Sequence, residues 1–263
     1  TTPVTAGAFA YNNLTITKDA VGNTVNLAAM ASVGGALAVT QGTLNLGASL
    51  NVTGNLAGAG IVNTVDFNLT VGGNVTGIIL NAQAAGNVEA ITVGGDFSPG
   101  TFSAANSTVI LNGTTTPVAL GPTGYFNLSL QKTAAAVINP AGAFTVGGAL
   151  VVDAGNDLRV ASTLGVTGTT TNAGTITAGT GNLTFDVVTN TGTIALGGRE
   201  LSATSISGGT VTTTSGIIAS TGTITTLTAT TGVTLNGGAG LAITNALLGR
   251  SEEHTSELQS HHP

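Results

Sequence analysis

Val33-Gly34-Gly35-Ala36-Leu37, Val52-Thr53-Gly54-Asn55-Leu56 and Val71-Gly72-Gly73-Asn74-Val75 are one pattern written three times, at steps of 19 residues. A fourth copy, Val93-Gly94-Gly95-Asp96-Phe97, follows after a step of 22. Each copy reads apolar, turn, apolar. A near-fixed period of this length, built from strand-forming residues and glycine, is the signature of a stacked solenoid. The pattern predicts an all-β fold, a parallel β-helix with rungs of about 19 residues.

A longer period lies over the short one. Tyr11-Asn12-Asn13-Leu14 returns as Tyr125-Phe126-Asn127-Leu128, and Asn68-Leu69-Thr70 returns as Asn182-Leu183-Thr184, each at an offset of 114 residues. The Val33 motif returns at Val146, one residue short. Since 114 is six times 19, the repeat predicts duplication by complete rungs, a first copy in 1–114 and a second from 115. The body, 1–249, would then hold about 13 rungs.

Composition narrows the class. The chain has 263 residues, 40 of them glycine, no cysteine, no tryptophan and 6% charged residues. Apolar residues alternate with Thr, Asn and Gly, which is strand patterning. No apolar run reaches the length of a membrane-spanning helix. The glycines have no three-residue period, which excludes collagen. Without cysteine there are no disulfides and no thiolate chemistry. A formal net charge of −6 has the wrong sign for nucleic acid.

The last residues break the composition. Residues 201–249 hold no charge, and the next eleven, Arg250 to Ser260, hold four. Those eleven resemble a translated sequencing-library adapter at every position. Residues 250–263 are therefore expected to be an artefactual, disordered tail and are set aside from fold reasoning. All three histidines lie in it. The body has four cations (Lys18, Lys132, Arg159, Arg199) and eight anions, and Thr1 reads as a cut inside a longer protein.

Within the body, Leu183, Phe185 and Val187 sit two apart and are expected on one face. Gly-Asn pairs at Gly54-Asn55, Gly73-Asn74, Gly86-Asn87 and Gly181-Asn182 suit tight corners in left-handed backbone. Stacked Asn side chains can bond along the axis as ladders. Residues 78–91 come nearest to a helical period, and Gly86 weakens it. Residues 98–124, with Pro99, Pro117 and Pro122, are expected to be a loop or a bulging rung. From residue 169 the rungs turn threonine-rich, restarting at Gly174-Thr175-Ile176, Gly192-Thr193-Ile194 and Gly222-Thr223-Ile224.

The Val-x-Gly rungs at Val33, Val52 and Val71, with the Asn-Leu-Thr strands at Asn13, Asn68 and Asn182, resemble bacterial surface β-solenoids of the filamentous-haemagglutinin and autotransporter-passenger kind. The resemblance covers most of 1–249. It implies a secreted, right-handed parallel β-helix at the bacterial cell surface, in an adhesive or stalk role. Its partners would be host or neighbouring-cell glycans or proteins, and further rungs of its own chain at both ends.

Chemistry-bearing clusters are few. Asp153-Ala154-Gly155-Asn156-Asp157 offers oxygen ligands for calcium but lacks an EF-hand spacing, and an Asx-rich corner explains it as well. Asp153, Asp157 and Arg159, with Arg199-Glu200, are the only carboxylate clusters for a polysaccharide-cleaving enzyme, which needs two acids across a sugar. A body without histidine cannot build a Ser-His-Asp or His-metal site. The eight Asn-x-Ser/Thr sequons, at Asn13, Asn51, Asn68, Asn74, Asn106, Asn112, Asn127 and Asn182, follow from composition. Thr223, Thr225, Thr228 and Thr230 suggest a threonine row as on ice-binding solenoids. Tyr11, Tyr125 and Phe126 are expected to pack between rungs. The reading assigns no catalytic, cofactor or metal residue and expects no enzyme.

Overall fold

The computed structural model describes residues 4–6, 10–18, 23–27, 29, 31–82, 88–121, 123–213, 216–223 and 226–229. The sequence tail and Gly86-Asn87 lie outside them. All strand pairing is parallel, in three sheets that form the faces of a β-solenoid of about 10 turns. The first face is a six-stranded sheet from Val4–Ala6 to Thr101–Ser103. The second is a fourteen-stranded sheet and the third a twelve-stranded one. At about 4.8 Å per step, the twelve strands of the third face make a stack on the order of 50 Å long. Among the described residues no helix is long and apolar enough to cross a membrane.

The short repeat is the register of the stack. On the second face Val33 pairs with Val52, Val52 with Val71 and Val71 with Val93. On the third, Leu37 pairs with Leu56, Leu56 with Val75 and Val75 with Phe97. All these side chains are buried. Alternation puts Leu50 and Val52 inside and Asn51 outside, then Leu69 and Val71 inside and Thr70 outside. A one-residue slip would turn every such set to solvent, so burial fixes the register.

The corners hold because of crowding, which differs from the expected left-handed backbone. Gly54, Gly73 and Gly181 and their following asparagines are absent from the positive-φ positions. A Cβ on Gly73 would lie 2.1 Å from Oδ1 of Asn55, and one on Gly95 would lie 2.0 Å from Oδ1 of Asn74. Those amide oxygens are in use. The Asn74 N–H donates to Asn55 Oδ1, the Asp96 N–H to Asn74 Oδ1 and the Ala119 N–H to Asp96 Oδ1, each at 2.8 Å. Glycine leaves room for a side chain that caps the rung above. The Asn-Leu strands repeat the device: Asn13, Asn68, Asn127 and Asn182 accept from Ala36, Ala90, Ala149 and Glu200 N–H.

A true side-chain ladder runs up the first face. Asn45 donates to Asn26, Asn63 to Asn45 and Asn81 to Asn63, at 3.0, 2.7 and 2.9 Å. A second, buried one joins Asn172 to Asn190.

The long repeat does not coincide with whole turns. Six steps along the second face carry Val33 to Val152, which is 119 residues, against 114 in the sequence repeat. Two of those steps are 22 residues long, Val71 to Val93 and Leu130 to Val152. The second copy is therefore displaced by one face. Val33 to Leu37 joins the second face to the third, whereas Val146 to Leu150 joins two strands of the fourteen-stranded sheet. The local corner survives: Gly34 N–H donates to Tyr11 O and Gly147 N–H to Tyr125 O.

The displacement shows where the first face changes. After Thr101–Ser103 its place is taken by Gly124–Tyr125, Phe144–Val146 and the start of Leu164–Asn172, all joined to the second sheet. Aromatic rings fill the interior there. Phe97 and Phe102 meet edge-on at 5.1 Å between centroids, and Tyr125 meets Phe144 edge-on at 6.0 Å. Tyr125 is buried between rungs as expected.

Three other expectations change. Alternation restarts inside Leu183–Asn190, so Val188 is buried and Val187 is 39% exposed. The strand turns a corner at Asp186-Val187, where two successive residues face outward or sideways. Residues 78–91 are extended where described, in Ile79–Asn81 and Ala90–Val93. Residues 98–124 carry strands Thr101–Ser103, Thr108–Leu111 and Val118–Leu120 in the stack.

Val52→Asp is expected to cost roughly 4 kcal/mol or more, because it buries an unpaired charge between two rungs. Thr70→Asp, pointing outward one rung on, is expected to cost less than about 1 kcal/mol. Urea unfolding of both variants measures the difference.

Candidate functional site

The Asp153–Arg159 cluster does not converge. Asn156 is buried, its Nδ2 donating to Asp153 O at 3.1 Å while its Oδ1 accepts from the Lys132 N–H at 3.2 Å. Gly155 turns the chain with φ of 81°. Asp157 leaves on the outer side, where Arg159 Nε donates to Oδ2 at 2.7 Å and Thr177 to Oδ1 at 3.1 Å. The corner is a backbone turn closed by the Asn156 N–H on Asp153 O, followed by a surface ion pair, and such pairs contribute little. Arg199 Nε donates to Gly179 O, and the Glu200 carboxylate accepts from Asn182. Each is spent on the rung beneath it. Among the described residues no three His, Cys, Asp or Glu side chains come together.

The threonine rows also fall differently. Thr223 lies on the second face and Thr228 on the third, so they do not share a row. Thr225 and Thr230 lie outside the described residues. The Thr175–Thr193 pairing continues to Thr210 and Thr226, not to the Gly222-Thr223 restart.

Two buried ionisable groups escaped the sequence reading. Lys132 is 5% exposed, and its Nζ donates to Gly94 O at 2.6 Å and to Asn112 O. It reaches down two rungs at the corner between the second and third faces. There the Gly-to-Gly backbone bonds of lower corners (Gly54 to Gly35, Gly73 to Gly54, Gly95 to Gly73) end. The ammonium supplies donors that the irregular 112–117 segment does not. Burial pushes its pKa down, and Asp96 nearby opposes this. A hint existed in the long repeat, which pairs Lys132 with Lys18.

Glu89 is the second. It is 1% exposed and sits one residue before Ala90–Val93. Its Oε1 is 2.6 Å from Oγ1 of Thr64, itself fully buried, and its Oε2 has no partner among the described residues. Burial pushes its pKa up. The Thr64 hydrogen bond opposes this, the charge of Asp66 adds to it, and a backbone hydrogen bond from Asp66 opposes it. Beside it, Val65 and Asp66 have φ of 49° and 65°. A β-branched residue there is strained. The exposed valines Val65 and Val88 flank the group. A lone acid in an Ala-, Gly- and Asn-rich segment carries no sequence signal for this.

A small apolar cavity of about 50 Å³ near the N-terminal end of the core is lined by Tyr11, Leu14, Ile16, Val25, Leu27 and neighbours. No protein-family model, curated protein or solved structure matches the chain.

Lys132→Met is expected to lower stability by about 2–4 kcal/mol, since it strips the donor from two buried carbonyls. Asp157→Asn is expected to change it by less than about 1 kcal/mol. Denaturant midpoints of the two variants compare them.

Proposed function

We propose that this chain is a structural segment of a large secreted bacterial surface protein, a rod that holds an adhesive surface away from the cell. The observation that carries the reading is the direction of its polar chemistry. Asn and Asp side chains, Lys132, Arg199 and Glu200 are spent bonding one rung to another along the axis. That chemistry specifies length and stacking, which a stalk needs. Strand pairing joins each rung only to its neighbours, so such a rod can be lengthened without redesign. The resemblance in rung length and composition to filamentous-haemagglutinin-like and autotransporter-passenger solenoids supports an extracellular place and glycan or protein partners on cells. A polysaccharide-cleaving role would draw on Asp153 and Asp157, one of which is held by Arg159. Ice binding has one observation in its favour, the in-register column Thr175, Thr193, Thr210 and Thr226 on the third face.

The purified chain, incubated with acidic and neutral polysaccharides, is expected to yield no reducing ends and no unsaturated products, while binding to cells or immobilised glycans is retained. Turnover that disappears in Asp153→Asn or Asp157→Asn would replace the stalk reading with an enzyme. Enrichment of the chain in slowly grown ice would replace it with an ice binder.

A further inference from the structure

Among the described residues, the first face passes to the second at 47–49, 64–68, 88–89 and 104–107. In sequence these turns and the strands they connect hold two titratable groups, Asp66 and Glu89, and no cation. The charge of Asp66 lies near enough to disfavour that of Glu89, and the sequence of this corner supplies no cation to offset it. Oε2 is bare in either state, but ionised, Glu89 would also carry a charge at a buried position, the costlier state. Protonated, it fits the contacts better. The acid O–H donates through Oε1 to Thr64 Oγ1, and the Thr64 hydroxyl is then free to donate to Asn81 O, 3.3 Å away on the next rung. Without that proton the Thr64 hydrogen is drawn to the carboxylate beside the Asp66 backbone N–H, and the link to Asn81 O reverts to the Thr64 N–H alone.

We propose that Glu89 is a proton-operated latch: its acid form holds the turn of residues 64–68 closed against the next rung, and loss of the proton lets that turn open. The strained pair Val65-Asp66 supplies the push, because opening relieves two non-glycine residues with positive φ. The opening stays local, since strand pairing joins each rung only to its neighbours. The sign follows from the direction of the shift. An acid with a raised folded pKa holds the closed form fully below the ordinary glutamate range, and the contribution is lost as pH rises through the raised value.

Hydrogen exchange of the full chain, read on peptides covering 61–71 and 79–93 and corrected for intrinsic rates, tests this between about pH 5 and about pH 8. Protection of these peptides is expected to fall with rising pH by up to about tenfold per unit, the limit for coupling to one proton. Glu89→Gln should make protection independent of pH, and Asp66→Asn should shrink the pH-dependent loss. Protection that does not change with pH in the wild type, or changes equally in Glu89→Gln, overturns the latch. Recovery of protection at high pH on adding calcium would overturn it too, because the corner would then be a cation site. Should Glu89→Gln fail to fold, the Asp66→Asn comparison decides alone, an unchanged loss counting against the proposal.

Discussion

Every strand of this molecule is a sheet edge until the next rung covers it. Parallel pairing along three faces satisfies those backbone groups, and everything else in the chain serves to keep consecutive rungs in step. The inward columns Val33–Val52–Val71–Val93 and Leu37–Leu56–Val75–Phe97 set the register by burial. The corners protect it. Asn55, Asn74 and Asp96 each take a backbone N–H from the rung above, and glycine beside them keeps the space open.

Where rung length changes, the same constraint explains the substitutes. Two steps lengthen to 22 residues, and at these levels Phe97, Phe102, Tyr125 and Phe144 pack ring against ring in the interior. Lys132 replaces missing backbone donors with an ammonium. Glu89 answers a similar need with a carboxyl group, at the cost of a strained turn. Those two groups are individual repairs, tied to single levels of the stack.

That difference explains what could be read in advance. Periodic features were legible because each rung repeats them: strand class, the 19-residue step, inward Val52 and Leu69, the asparagine bonding along the axis. The reason for the glycines was not legible, because composition cannot separate a left-handed corner from a crowded one. Gly73 is needed for the Asn55 side chain one rung away, a contact that appears only after stacking. The displacement of the second long copy by one face was hidden for the same cause, since two long steps shift the phase while the corner motif at Val146 stays intact. Asp153, Asp157, Arg199 and Glu200 stood out as charges in a nearly uncharged chain, yet they bond locally. Glu89 and Lys132 gave no periodic signal and emerged only from burial.

A single cross-link distinguishes the parallel, one-rung register from any other. The chain has no cysteine, so an introduced pair reports without interference. Asn51 and Thr70 are exposed partners on adjacent rungs of the second face, within the reach of a disulfide. Asn51 and Thr92 lie two rungs apart on the same column, beyond it. Rapid disulfide formation is expected in Asn51→Cys with Thr70→Cys and none in Asn51→Cys with Thr92→Cys. Closure of the second pair with the first left reduced would contradict that register.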